Sequence, residues 1–252
     1  MMLSVNQLLN YSKTIKIIAA IPCFNTGPFI QNIVLKTKNH VDEVVVIDDG
    51  SSDMTAFLAK NVGAFVISHP QNRGYGEALK SCFTEALNNN ADIIITLDGD
   101  GQHDPDQIPD LLAPIIKGDA DVVIGSRFLT AAKIPTYRRS GISIINYLWN
   151  FGHKNKLSDS QSGFRAYRRN ILEQLHLSEK GMGISIEILQ QISNNGVKIK
   201  EIPIICSYEN NNAHITKKAI SHGLGVTFCI IKLKLIHSTA RILGKDFPNK
   251  ST

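Results

Sequence analysis

Five short runs of apolar, largely β-branched residues punctuate the first half of the chain: IKIIAAI at 15–21, EVVVID at 43–48, AFVI at 64–67, DIIITL at 92–97 and DVVIG at 121–125. Each is continuous rather than alternating, the pattern of a strand covered on both faces. Between them apolar positions recur at three-to-four spacing, the helical period. Thr26 can cap and Pro28 can open a helix with Phe29, Ile30, Ile33 and Val34 on one side. Ser52 or Asp53 caps a second helix carrying Met54, Phe57 and Leu58, and Leu79, Cys82, Phe83, Ala86 and Leu87 mark a third after Gly76. Successive runs start 28, 21, 28 and 29 residues apart, the length of a βαβ unit. The expected fold is α/β, with a mostly parallel central sheet and helices on both faces.

The second half is less regular. A helix is expected through 143–152, a turn over SDSQSGFRAYRR at 158–169, a helix at 184–192 and a strand at 200–206, all elaborating the same sheet. Gly223 opens a helical stretch in which apolar and basic residues mix. No linker rich in Pro, Ser or Gly divides the chain, and no repeat is visible. The expected organisation is an extension at 1–14, one main domain at 15–222 and a basic amphipathic segment at 223–252.

Composition narrows this picture. With 252 residues, 43% hydrophobic and 19% charged, the chain can bury a substantial core. No apolar stretch approaches the ~18 residues of a membrane span, and the start lacks a secretory pattern, so the expected location is the cytoplasm or the cytoplasmic face of a membrane. The four cysteines have no metal or disulfide spacing and read as buried small hydrophobes. Net charge is +5, and residues 211–252 hold seven Lys/Arg against Asp246 alone. The rest of the chain is nearly neutral, so the tail has two uses: contact with an anionic membrane surface, or packing on the domain or a partner subunit. No nucleic acid partner is expected.

Candidate chemistry lies at the strand ends, where open α/β sheets bind ligands. TLDGDGQHDP (96–105) runs a buried strand into Asp98 and Asp100. Two carboxylates so close repel unless a cation sits between them, and hard oxygen ligands select Mg²⁺ or Mn²⁺. The flanking glycines would let a ligand approach closely. Asp104 and Asp106 read as a solvated loop and cap, and His103 as a loop residue. Asp48 and Asp49 end an earlier strand, where a carboxylate could accept hydrogen bonds from a base or ribose. Gly74 and Gly76 precede a helix, where a turn and contact with phosphate are equally good readings.

IPCFN at 21–25, DDGSSD at 48–53, NRGYGEA at 72–78, LDGDGQHDP at 97–105, GSRF at 125–128 and SGFRAYRR at 162–169 together resemble the family-2 glycosyltransferases of the GT-A, nucleotide-diphospho-sugar transferase fold. Their order and spacing are similar to the dolichyl-phosphate mannosyl- or glucosyltransferase branch, over roughly residues 15 to 225. The resemblance implies inverting transfer of a hexose from a GDP-mannose- or UDP-glucose-type donor to a polyprenyl phosphate. By the same resemblance Pro22, Phe24, Ile47 and Asp49 line the nucleoside pocket, Asp98 and Gly99 contact the donor, and Asp100 and Gln102 hold the divalent cation. Arg127 and Arg138 face phosphate groups of donor or acceptor, Arg165 lies in the S-G-F-R turn as a further phosphate ligand, and Lys217 reaches the diphosphate. Asp98, Asp100, Arg127 and Arg138 form the catalytic set. The chain departs from the family at Phe24, where a tyrosine is usual, at Thr26, where an acidic residue is usual, and over NNNAHITKK at 210–218.

The leaving diphosphate gathers negative charge, so a cation and guanidinium forks aimed at it lower the barrier. A phosphate monoester acceptor, with a second pKa of about 6, is already ionised and needs no general base. The alternative acceptor, a hydroxyl of a saccharide or glycan, would need one, and Asp159 and Glu187 are the candidates. A sugar-1-phosphate nucleotidyltransferase would carry a basic glycine-rich loop after the first strand; IPCFNTGPF has neither Lys nor Arg. A non-enzymatic, membrane-associated binding protein would not need Asp98, Asp100, Gln102 and Arg127 together.

Overall fold

A computed structural model of the protein describes residues 15–130, 134–151, 153, 156–194, 196–208, 226–227, 229–230 and 232. The strands are β1 (Ile17–Cys23), β2 (Glu43–Asp48), β3 (Phe65–Ser68), β4 (Ile93–Thr96), β5 (Val122–Ser126), β6 (Arg165–Arg168) and β7 (Ile199–Pro203). They form one sheet in the order β3-β2-β1-β4-β6-β5-β7. All pairings are parallel except those of β6, which runs antiparallel between β4 and β5.

The continuous apolar runs are explained by two cores. Ile18, Ala20, Val45, Ile47 and Ile94 face one side of the sheet, while Ala19, Ile21, Val44, Val46, Ile93 and Ile95 face the other. On the first side lie α3 (Tyr75–Asn88), α5 (Thr136–Asn150) and α7 (Ile184–Asn194); on the second lie α1 (Gly27–Thr37), α2 (Thr55–Asn61) and α4 (Ile108–Ile116). Each fully buried Ile or Leu contributes ~1.5–3 kcal/mol, which is why the cores rather than local propensity fix these elements. A single turn, α6 (Arg169–Leu172), follows β6.

Three elements differ from expectation. β6 falls within the predicted turn at 158–169: its outer residues are arginines, and only Ala166 and Tyr167 offer apolar side chains, one to each core. α5 begins at Thr136 rather than 143, because its first turn, TYRR, has no apolar face to announce it. In α2, Met54 and Phe57 are exposed and Leu58 alone of the predicted trio packs on the core.

Asp53 caps two helices at once. Its Oδ1 accepts from the Thr55 N–H at 3.0 Å and from the Thr55 hydroxyl, while Oδ2 accepts from the Gly27 N–H at 3.0 Å, the start of α1. Burial pushes its pKa up, but these hydrogen bonds outweigh it and hold the carboxyl below its ordinary value. The stabilisation is therefore present at neutral pH and lost as pH falls through the lowered folded value. Asp53→Ala is expected to cost about 1–2 kcal/mol, read as a lower urea midpoint at pH 7, with the difference from wild type shrinking near pH 3.

Within the segment expected at 223–252, Val226 and Ile230 are buried against the first core and Cys229 is buried on Gly183. Lys232 pairs with Glu179 at 3.0 Å. These described residues thus pack on the domain. All four cysteines are free and buried, and burial pushes Cys23, Cys206 and Cys229 up to about 12, leaving them as unreactive apolar groups.

Candidate active site

The chain leaves β1 toward β2 on one side and leaves the adjacent β4 toward β5 on the other, which opens a crevice beyond the carboxyl ends of these two strands. There a cavity of about 490 Å³ is lined by Pro22, Phe24, Asp49, Asp98, Gly99 and Asp100, all expected from the sequence, and by Asn72, Tyr75, Gly181 and Met182, which were not. Ile47 is a correction: it is fully buried among the core residues under the sheet, because the strand runs on through Asp48 and only Asp49 clears its end into the cavity. Lys217 lies outside the described residues.

Asp98 and Asp100 leave β4 on the loop 97–104. Burial raises the pKa of Asp98, offset in part by Arg127, by a hydrogen bond from the Tyr75 hydroxyl at 3.3 Å and by Arg165. Burial raises Asp100 too, and the charge of Asp98 raises it further. Gly99 between them is a packing residue: a Cβ there would lie 2.5 Å from Cys23 Sγ, so the glycine admits β1 rather than a ligand. Gly101, at φ +78°, does turn the loop through the left-handed region. His103 is pushed down to about 4 by burial and is neutral at physiological pH. Its nearness to Asp98, 3.8 Å, is therefore no ion pair; its Nδ1 accepts from the Asp98 N–H at 3.4 Å.

Asp100 Oδ1 accepts from the Gln102 N–H at 3.0 Å, and Gln102 Nε2 donates to Oδ2. Gln102 Oε1 in turn accepts from Arg138 at 2.9 Å, which brings the start of α5 to the acidic loop. On the other side of this loop a second cavity, about 670 Å³, lies between α1, residues 101–105 and residues 205–208.

Asp49 lines the first cavity, but its carboxylate already accepts from His69 Nδ1 at 2.7 Å and from the Arg73 and Gly74 N–H groups at 2.9 Å. It shapes the NRGYG turn. Gly76 N–H donates to the Lys180 carbonyl at 2.8 Å, and a Cβ at Gly76 would meet the 179–180 backbone at 2.6 Å. The glycine pair therefore serves contact with the 178–183 loop, and Gly74 also lines the cavity.

The arginines divide. Arg127, just past β5, is buried and forms a two-pronged pair with Asp159, Nε to Oδ2 at 2.7 Å and NH2 to Oδ1 at 2.8 Å. Burial lowers its pKa, but Asp159 outweighs burial and holds it charged. Arg165 is a second correction. It is buried and donates Nε to the Ser162 carbonyl and NH2 to the Ser160 carbonyl, both at 2.8 Å, so its fork props the turn and is not presented to a phosphate.

Neither candidate base is free. Asp159 is fully buried on Arg127. Glu187 accepts from the Ser178 N–H and hydroxyl and from the Glu179 N–H at 2.6–3.0 Å, anchoring the loop that supplies Gly181 and Met182 to the cavity wall.

A family model, glycosyl transferase family 2, matches residues 18–176. The chain belongs to this family. Among relatives, it is 31% identical over 242 residues to a UDP-N-acetylglucosamine–dolichyl-phosphate N-acetylglucosaminyltransferase of Methanococcus voltae, covering 85% of this chain and 94% of that one. It is 30% identical over 205 residues to the polyprenol monophosphomannose synthase of Mycolicibacterium smegmatis, covering 76% and 77%. Among solved structures, glucosyl-3-phosphoglycerate synthase of Mycobacterium tuberculosis, in complex with Mn²⁺, UDP and phosphoglyceric acid, matches with a TM-score of 0.72 at 19% identity, over 91% of this chain and 82% of that one. The architecture is thus that of GT-A enzymes, and the family-2 chain is a glycosyltransferase.

Proposed function

We propose that this glycosyltransferase moves a hexose from a nucleotide-diphosphate sugar to a polyprenyl phosphate with inversion, residues 15–222 forming the catalytic domain. The observation that carries the acceptor is the state of the carboxylates. Among the described residues both candidate bases are consumed by structural hydrogen bonds, and a hydroxyl acceptor needs a free one. A phosphate acceptor arrives ionised and needs only cations to receive it. The named activities of the relatives from Methanococcus voltae and Mycolicibacterium smegmatis support the same class.

The cavity beside Asp49 would take the nucleoside, with Phe24, 40% exposed at its rim, as an apolar face for a base. Asp98 and Asp100 suit a divalent ion, because their burial and mutual repulsion are relieved by one. Among the described residues no group of three or more His, Cys, Asp and Glu converges on one point. That fits Mg²⁺ or Mn²⁺ bound by one or two carboxylates with the remaining ligands from diphosphate and water. Asp100 and the Gln102 carbonyl would hold it, and when bound it would neutralise charge on the leaving diphosphate. Arg127 and Arg138 add positive charge at the same place. On the outer face of α5 and at its C-cap, Ile144, Tyr147 and Phe151 are 60%, 72% and 71% exposed, which supports peripheral contact with the membrane that carries the acceptor. No described helix is long and apolar enough to cross a membrane.

The test is a donor panel of labelled UDP- and GDP-hexoses with short-chain polyprenyl phosphate in vesicles and Mn²⁺. A lipid product cleaved by mild acid is expected from one nucleotide class. Transfer only to a free sugar hydroxyl would overturn the acceptor assignment.

A further inference from the structure

Asp159 lines neither cavity, yet the chain on both sides of it is held by side chains from two distant elements. Asn146, on the inner face of α5, accepts from the Ser160 N–H at 3.0 Å and hydroxyl at 2.7 Å and donates to the Ser158 carbonyl. Glu201, on β7, accepts from the Ser158 N–H at 2.8 Å and the Asp159 N–H at 2.9 Å. Asn146 is buried, and its two bonds from Ser160 are made away from water, where a lost partner is costly. The peptide groups flanking Asp159 are thus fixed before its carboxylate meets Arg127.

An arginine has several rotatable bonds, and a buried ion pair is favourable only with well-set geometry. With the Arg127 Nε and NH2 committed to Asp159, the direction of its remaining edge follows from where Asp159 stands. We propose that Asn146 and Glu201 are positioning residues that set Arg127 through Asp159, holding its guanidinium toward the acidic loop. α5 then has two duties: Arg138 at its start meets Gln102, and Asn146 two turns later holds the support of the second arginine.

Two readouts test this. The first is hydrogen exchange of the Arg127 Nε–H by NMR, assigned by its disappearance in Arg127→Lys. It is expected to be protected in the wild type and to exchange about tenfold faster or more in Asn146→Ala and Glu201→Gln. Glu201→Gln keeps one carbonyl acceptor at a half-buried edge position, so it reports even where Asn146→Ala fails to fold. Unchanged exchange in a folded variant overturns the proposal.

The second readout is a double-mutant cycle on transfer. Each variant is expected to lower kcat about tenfold with the donor KM within about twofold, and to add less than about twofold in an Arg127→Lys background. A loss that multiplies in full in that background means action through the fold at large and overturns the proposal. Only this second readout rests on the reaction proposed above. A chain with a protected Nε–H that transfers no sugar to any acceptor overturns that reaction and supports the positioning.

Discussion

Asp100→Ala is expected to remove the cation-dependent part of nucleotide binding and to lower transfer about 10²- to 10³-fold. The carboxylate is held by both the backbone and side chain of Gln102, so its oxygens occupy a fixed point next to Asp98. Burial and the neighbouring charge both raise its pKa. Without a cation the folded pair binds more protons than the unfolded chain does. Its contribution to stability therefore falls as pH rises through the carboxylate range to the raised folded values.

A divalent ion reverses this by favouring the ionised pair. Mn²⁺ with UDP or GDP should accordingly raise the melting temperature more at pH 7.5 than at pH 5, and Asp100→Ala should show no Mn²⁺ increment at either. Calorimetry gives the same comparison as affinity with Mn²⁺ against affinity in EDTA. Equal affinities in the wild type would remove the cation from the account. Asp100→Asn separates charge from shape, since it keeps an oxygen for the Gln102 N–H and loses the negative charge; it should behave like Ala toward Mn²⁺.

The sequence carried the sheet because both faces of each strand are covered, which forces unbroken apolar runs such as VVVID that no loop would tolerate. It hid β6, since a strand whose outer positions are arginines offers two apolar side chains where the eye needs four. The acidic wall of the cavity was legible for a related reason. Asp98, Gly99 and Asp100 follow a buried strand directly, and a strand end can be located from its apolar run alone. The supports were not. Tyr75, Asn146, Met182 and Glu201 come from helices, a loop and an edge strand far along the chain, and only folding brings them near Asp98 or Asp159. Ile47 and Arg165 failed in opposite ways. One lies in the core because its strand runs on past it, and the other spends its donors on carbonyls of its own turn, a choice that depends on the turn's shape.

The meeting of the S-G-F-R turn with the acidic loop gives the second large effect. β6 pairs antiparallel with β4, putting Arg165 opposite Thr96, and the Thr96 hydroxyl donates to the Gly163 carbonyl at 2.8 Å. Gly163 is therefore stacked against the residue two beyond the strand end. A Cβ built on it would lie 2.6 and 2.7 Å from the two oxygens of Asp98. Gly163 is not among the glycines of positive φ, so alanine suits its backbone and the strain falls on Asp98 alone. The end of an aspartate can swing away at little cost in stability, but it then leaves the position from which it and Asp100 would face a cation. A displacement of about 1 Å at a reacting centre can cost about 10²-fold in rate. Gly163→Ala is thus expected to fold with a melting temperature close to wild type and to lose about 10²-fold in kcat. Gly141→Ala is the matched control, because a Cβ there meets nothing within 4 Å on the exposed side of α5. It should gain about 0.5–1 kcal/mol from helix propensity and keep full activity. Wild-type kcat in Gly163→Ala would mean that Asp98 acts equally well from a displaced position, and that the glycine of this turn answers to packing alone.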